Sequence, residues 1–188
     1  LEDVKVLEEY VPPPSLTIEM LVGDWVLIQE YGAFGVGPAS GSTSNWVSDS
    51  NAVQERSCLF DDIYRFSEEG TFENILGEQT WLETWQGVSS EQCGLPVAPH
   101  DGSAGSTFSY DYASKTITLN GLGAYLGIPK VVSGANELSD PASAPESLTY
   151  KVMSNTQDRM TLEVAYTGGF WTFNFVRKDS LGSTLPAE

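Results

Sequence analysis

Basic residues are scarce in this chain. Nine lysines and arginines face 26 aspartates and glutamates, for a formal net charge of −17. The field of such a surface repels phosphate and sulfate, which argues against nucleic acid, anionic membrane surfaces and polyanionic ligands as partners. It admits neutral ligands and cations, and acidity of this kind also serves simply to keep an exported protein soluble. No window approaches the ~20 apolar residues of a membrane-spanning helix. There is no internal repeat, and no Asn-x-Ser/Thr acceptor points to N-glycosylation. Histidine occurs once, as His100, and cysteine twice, as Cys58 and Cys93. Without a Cys-x-x-Cys or a Cys/His cluster there is no zinc ligand set, and no metal or cofactor is expected. Two cysteines in so acidic and lysine-poor a chain fit one disulfide in an oxidising compartment: extracellular, periplasmic or outer-surface. Two buried free thiols are the alternative. Closing a loop of about 36 residues would stabilise the fold by ~4 kcal/mol through chain entropy. The chain starts at Leu1 rather than Met, consistent with an export signal removed ahead of it.

What is present is β-sheet signal. The 188 residues are enough for one domain with a sizeable core. Residues 1–14 end in Val11-Pro12-Pro13-Pro14, which favours extended polyproline geometry and reads as a linker, fusing or anchoring the domain to something else. The domain is expected over 15–179, with a tail at 180–188. Ser15 to Met20 can form one helical turn with Ser15 as its cap. Thereafter the pattern alternates. Trp25, Leu27, Gln29 and Tyr31 share one face. In "LFDDIYRF" (59–66), Asp62, Tyr64 and Phe66 fall together. "TFENIL", "TFSYDYA", "KTITL", "SLTYKVM", "TLEVAY" and "FWTFNFVRK" follow, with turn signals at Asn120-Gly121 and Thr167-Gly168-Gly169 and one more strand near Trp81. Eight or nine short antiparallel strands without a long helix predict a barrel or a sandwich.

Three connections are long: about 32–57, 86–105 and 121–146. Loops of this length are usually functional or disordered, and the aromatics on these favour ordered, ligand-facing loops. Catalytic constellations are wanting. His100 lies in "APHDG", a Pro/Gly loop where a lone histidine is expected to face solvent, and no Gly-x-Ser-x-Gly elbow exists. Asp61 and Asp62, as strand neighbours, point to opposite faces and cannot form a glycosidase pair. "DSNAVQE" offers scattered oxygens without an EF-hand pattern. The aromatics are the stronger lead. Indoles stack against sugar rings, although they equally fill barrel cores. Trp46, embedded in the polar "STSNWVSDS", is the leading candidate for ligand contact, because an indole is costly to expose there. Trp81 and Trp85 share a face in either a strand or a helix. Tyr31 and Tyr125 complete the candidate contact set.

Gly23-Asp24-Trp25 opens the first strand and Arg177 closes the last. That arrangement resembles the lipocalin, or calycin, pattern of Gly-x-Trp on strand one and a basic residue on the final strand. The resemblance implies a structural role for Trp25 and Arg177: the guanidinium packs across the indole and closes the base of a barrel. "LVGDW", "IYRFSEEGTFEN", "SLTYKVMSNTQDRMTLEV" and "GFWTFNFVRK" further resemble lipocalin-like domains of secreted and surface proteins of Bacteroidetes-type bacteria, over roughly 16–178. "YGAFGVGP", "CLFDDIYRFSEEGTF" and "AYLGIPKVV" resemble a subgroup attached to polysaccharide-degrading enzymes. The fold expected is therefore an all-β, lipocalin-like antiparallel barrel of eight to nine strands with long loops. The function expected is a non-catalytic module that binds a neutral polysaccharide or oligosaccharide through loop aromatics. A carrier of a small apolar ligand inside the barrel, and a protein-interaction domain with no small ligand, are the alternatives.

Overall fold

A computed structural model describes residues 17–181. The linker expected at 1–14, Ser15 and residues 182–188 of the tail lie outside the described residues. The first helical turn, α1 (Ile18–Leu21), has Thr17 at its N-cap, not Ser15. The strands are β1 (Gly23–Leu27), β2 (Phe34–Gly37), β3 (Trp46–Val47), β4 (Ile63–Phe66), β5 (Thr71–Ile75), β6 (Thr80–Leu82), β7 (Gln92–Gly94), β8 (Ser106–Asp111), β9 (Thr116–Asn120), β10 (Ser147–Asn155), β11 (Arg159–Tyr166) and β12 (Gly169–Arg177). Two helical turns, α2 (Ala52–Glu55) and α3 (Ser57–Phe60), lie between β3 and β4.

Eight strands form the barrel. β1, β4, β5, β8, β9, β10, β11 and β12 each pair antiparallel with the next, and β12 returns to β1 to close the sheet. Closure removes the free edges that an open sheet would expose. β2 and β3 extend the sheet beyond β12, and β6 with β7 makes a separate two-stranded ladder. The alternation in sequence is the alternation in space. Tyr64 and Phe66, Leu148, Tyr150 and Val152, Met160, Leu162 and Val164, and Trp171, Phe173 and Phe175 are all buried.

Two expected strands are broken. Residues 25–31 do not run as one strand. Asn174 receives the Ile28 N–H on its carbonyl and donates its own backbone N–H to Ala33, so 29–32 bulge outward between β1 and β2. Its side-chain amide caps the bulge by donating to the Gly32 carbonyl at 2.7 Å. Tyr31 is thereby thrown off the face of Trp25 and Leu27. Leu59 and Phe60, expected to open the strand 59–66, instead end the helical turn α3, and the strand starts at Ile63. A strand cannot bury three consecutive residues on one face, whereas this helical turn buries Cys58, Leu59 and Phe60 together.

The base of the barrel is closed by Arg177. It lies opposite Trp25 in the β1–β12 register, with its guanidinium carbon 4.5 Å from the indole centroid. It donates to the carbonyls of Met20, Val22 and Gln157, while the Trp25 indole N–H donates to Leu21 at 2.8 Å. The interior is filled by the chain itself. The connection after β9 dips into the barrel, and three strands grip its backbone. Asn74 on β5 donates to the Tyr125 carbonyl and accepts the Tyr125 N–H. The Leu126 N–H donates to the Tyr150 hydroxyl on β10, and the Tyr64 hydroxyl on β4 donates to the Gly127 carbonyl. Gly127 has φ of +81° and a Cβ there would meet the Phe173 ring at 2.3 Å, so glycine is required by both backbone and space.

Candidate functional site

The hairpin turns at 67–70, 112–115 and 156–158 follow strands that run toward the base, so the long connections gather at the opposite end, the mouth. Cross-strand register begins the site. Trp171 on β12 faces Val36 on β2, which in turn faces Trp46 on β3. Directly opposed residues share a face, so Trp46 leans over the mouth beside Trp171, ring centroids 6.3 Å apart, and Phe34, at 5.5 Å. Trp46 still exposes 41% of its surface. It is not an indole alone in a polar loop: it pins that loop to the mouth and offers its remaining area outward.

The disulfide builds the next part. Cys58 in α3 is bonded to Cys93 in β7, and Cys93 lies opposite Trp81 on β6. Arg56, just ahead of α3, is thereby placed against Trp81, its guanidinium carbon 4.7 Å from the ring centroid. The same carbon is 5.9 Å from Trp46 and 6.0 Å from Phe34. The cation therefore joins Trp46 to Trp81 across the mouth.

A second chain of contacts runs from Trp171 inward. Its indole N–H donates to Glu137 at 2.7 Å, and the Lys130 ammonium lies 5.5 Å from its ring centroid. Lys130 donates to one oxygen of Glu83 at 2.9 Å, and the other oxygen accepts the Trp85 indole N–H at 2.9 Å. Trp85 sits on a 3-10 turn (Thr84–Gln86), not on a strand shared with Trp81, so the two tryptophans do not form one stripe. Beyond Trp85 the His100 ring packs edge-on at 5.6 Å, and beyond that Tyr125 at 6.0 Å.

The placements of the expected residues thus separate. Trp46, Trp81 and Trp85 lie in this connected band. Tyr31, 63% exposed, stands on the bulge that the Gly32 N–H ties to the Ser48 carbonyl, beyond the end of β3. Tyr125 differs from the expectation of a ligand contact. It is 1% exposed and belongs to the plug inside the barrel, because its backbone is clamped by Asn74. His100 also differs from expectation. It is buried, not solvent-facing, and burial lowers its pKa to about 4, so the ring is neutral at physiological pH. Asp101 beside it is engaged by the Ser103 N–H and hydroxyl. In "DSNAVQE", Asp49 accepts the Asn51 and Ala52 N–H groups at the start of α2. Among the described residues no three His, Cys, Asp or Glu side chains gather into a metal-binding group. No helix among them is long and apolar enough to cross a membrane.

Sequence reasoning missed Arg56, Lys130, Glu83 and Glu137. A signal was available in the scarcity of cations. Three of the nine basic residues, Arg56, Lys130 and Arg177, lie over tryptophan rings. The missing information was which ring each would meet.

No protein-family model matches the chain, and no curated protein sequence does. Several solved chains are similar to it, among them two from Bacteroides. One is a lipocalin-like protein from Bacteroides uniformis, 16% identical, with a TM-score of 0.38, covering 84% of this chain and 98% of that one. The other is an uncharacterized protein from Bacteroides eggerthii, 14% identical, with a TM-score of 0.37 and the same coverage. The closed eight-stranded barrel rests on the chain's own hydrogen bonding, and neither neighbour supplies a function.

Proposed function

We propose that the protein is an exported, non-catalytic binding module that holds a glycan, largely neutral, across the barrel mouth. The observation that carries this reading is the Trp46–Arg56–Trp81 cluster: partly exposed indoles held rigid by a cation and a disulfide. Rigid aromatic platforms bind ring faces with little loss of side-chain entropy, and the partly open Lys130 and Glu137, which buried Glu83 helps to hold, are suited to sugar hydroxyls. The filled interior opposes the carrier reading. Residues 125–127 occupy the space that an apolar ligand would need, and their backbone hydrogen bonds would have to break to admit one. The disulfide is compatible with an extracellular or periplasmic site of action. The stacking of Arg177 on Trp25, with each barrel strand pairing to the next, supports the lipocalin-like reading of the fold.

The test is native affinity electrophoresis against soluble polysaccharides, with tryptophan emission as a second readout. A neutral or weakly charged glycan should retard the protein and shift the emission. The double variant Trp46→Ala/Trp81→Ala should bind at least tenfold more weakly while its far-UV circular dichroism is retained. Unchanged affinity in that variant would remove the site, and no retardation by any glycan would remove the function.

A further inference from the structure

We infer that Arg56 selects a glycan that carries a carboxylate, presented as a single uronate residue in an otherwise neutral chain. This rests on the binding-module reading and names its ligand class.

Arg56 is held in place yet sparsely bonded. It is the residue between α2 and α3, and the Cys58–Cys93 bond two positions on fixes it against β6 and β7. Three aromatic rings surround its guanidinium, and the side chain keeps one fifth of its surface open. Among the described residues its one side-chain hydrogen bond runs to Glu91 at 3.5 Å, a carboxylate that is itself about half exposed. The other arginines are engaged more closely. Arg65 forms a two-pronged pair with Asp24 at 2.7 and 2.9 Å. Arg177 donates to three carbonyls, and Arg159 reaches Glu30 at 3.1 Å.

A guanidinium carries five N–H donors in a planar fork that matches both oxygens of a carboxylate. At Arg56 most of that fork is unspent, while the aromatic rings strip water from one side of it. A second donor lies close by. The Trp81 indole N–H is buried without a partner, beside the guanidinium that covers its ring. The acceptor that Arg56 does have, Glu91, is held at 3.5 Å and half exposed, loosely enough to be displaced. A carboxylate brings two acceptor oxygens and the charge that complements Arg56. The exposed face of Trp46, within 5.9 Å of the guanidinium carbon, offers a seat for the sugar ring that bears it.

Charge limits the number of carboxylates to one. Lys130 is already neutralised by Glu83 at 2.9 Å and Glu137 at 4.0 Å, so a second uronate along the band would meet acid, not base. The net charge of −17 acts in the same direction on a dense polyanion. A lone carboxylate in contact with Arg56 is governed by that contact, since the charges of the distant surface are screened over about 8 Å at physiological salt.

The experiment uses paired oligosaccharides with xylan, glucan and mannan backbones. Each is presented unsubstituted, with one glucuronate, and with that glucuronate reduced to the neutral alcohol. Polygalacturonate and a glutamate-rich peptide complete the set, and binding is read by titration calorimetry. The single-uronate form of one backbone should bind at least tenfold more tightly than its carboxyl-reduced partner. Arg56→Gln should abolish that difference, and polygalacturonate should bind more weakly than the single-uronate chain. Equal affinity of acid and reduced forms for the wild-type protein would overturn the inference and leave the glycan reading intact, as would discrimination that persists in Arg56→Gln. Binding of the peptide with no glycan bound, or no binding at all, would overturn both. The acid-against-reduced comparison is made on the wild-type protein, so it stands even where the variant folds poorly.

Discussion

Asp62 gives the sharpest test of the fold. It immediately precedes β4, shares the inward face of Tyr64 and Phe66, and is 0% exposed. One carboxyl oxygen accepts the Thr80 hydroxyl at 2.7 Å, and the other has no partner. Burial raises its pKa to about 9, which the Thr80 hydrogen bond only partly offsets. The folded protein therefore holds Asp62 as the neutral acid at pH 7, whereas in the unfolded chain the group ionises near 3.9. Between these values the folded state binds one more proton than the unfolded state. The stability associated with that proton is complete below about pH 4 and is lost progressively as the pH rises toward 9. With the folded pKa above 7, the cost at neutral pH is set by the unfolded value alone: about 3 pH units at ~1.4 kcal/mol each, or ~4 kcal/mol. Asp62→Asn is neutral at every pH, nearly isosteric, and can still accept from Thr80. Its amide brings donors without a partner, which costs about 1–2 kcal/mol. The variant should therefore be more stable than wild type by about 2–3 kcal/mol at pH 7. Its advantage should grow by ~4 kcal/mol between pH 5 and pH 8. Urea unfolding at each pH, followed by circular dichroism, measures both. An advantage that stays constant across this range would mean that Asp62 is ionised in the fold, and the burial argument would be wrong.

His100 should act in the opposite direction. Its depressed pKa means that the stability it contributes is present above about pH 6.5 and lost as the pH falls toward 4. Relative to His100→Gln, the wild type should lose about 1–2 kcal/mol between pH 7 and pH 5, again by urea unfolding. Arg177→Met removes the cation over Trp25 and three donors to carbonyls at the barrel base. It should cost about 2–4 kcal/mol, seen as a lower urea midpoint with an unchanged slope. Cys58→Ser with Cys93→Ser should cost about 3–4 kcal/mol and red-shift the tryptophan emission, as Trp81 loses the cation held against it. An unshifted emission in this double variant would show that the disulfide is not what positions Arg56.

Local alternation was enough to place most of the barrel. A strand with one face on a core must alternate, so Tyr64 and Phe66, the β10–β12 stripes and the inward turn of Asp62 could all be read from spacing two. The pairing of the two cysteines followed from composition, and the Trp25–Arg177 closure from a resemblance. Reading failed where one distant residue overrides a local pattern. Asn174 on β12 forces the bulge that turns Tyr31 outward, and nothing near Tyr31 announces it. Leu59 and Phe60 alternate acceptably as a strand until a helical turn proves able to bury both. Tyr125 looked like a loop aromatic available to a ligand, but Asn74, Tyr64 and Tyr150, from three separate strands, draw its segment into the barrel.

The mouth shows the division most clearly. An acidic β-structure with tryptophans on long connections was legible in the chain alone, because period, charge and residue type are local properties. That residues 125–127 plug the interior and that Arg56 lies between Trp46 and Trp81 emerged from the fold alone. Those outcomes depend on which segments closure of the sheet and the disulfide bring together across dozens of residues.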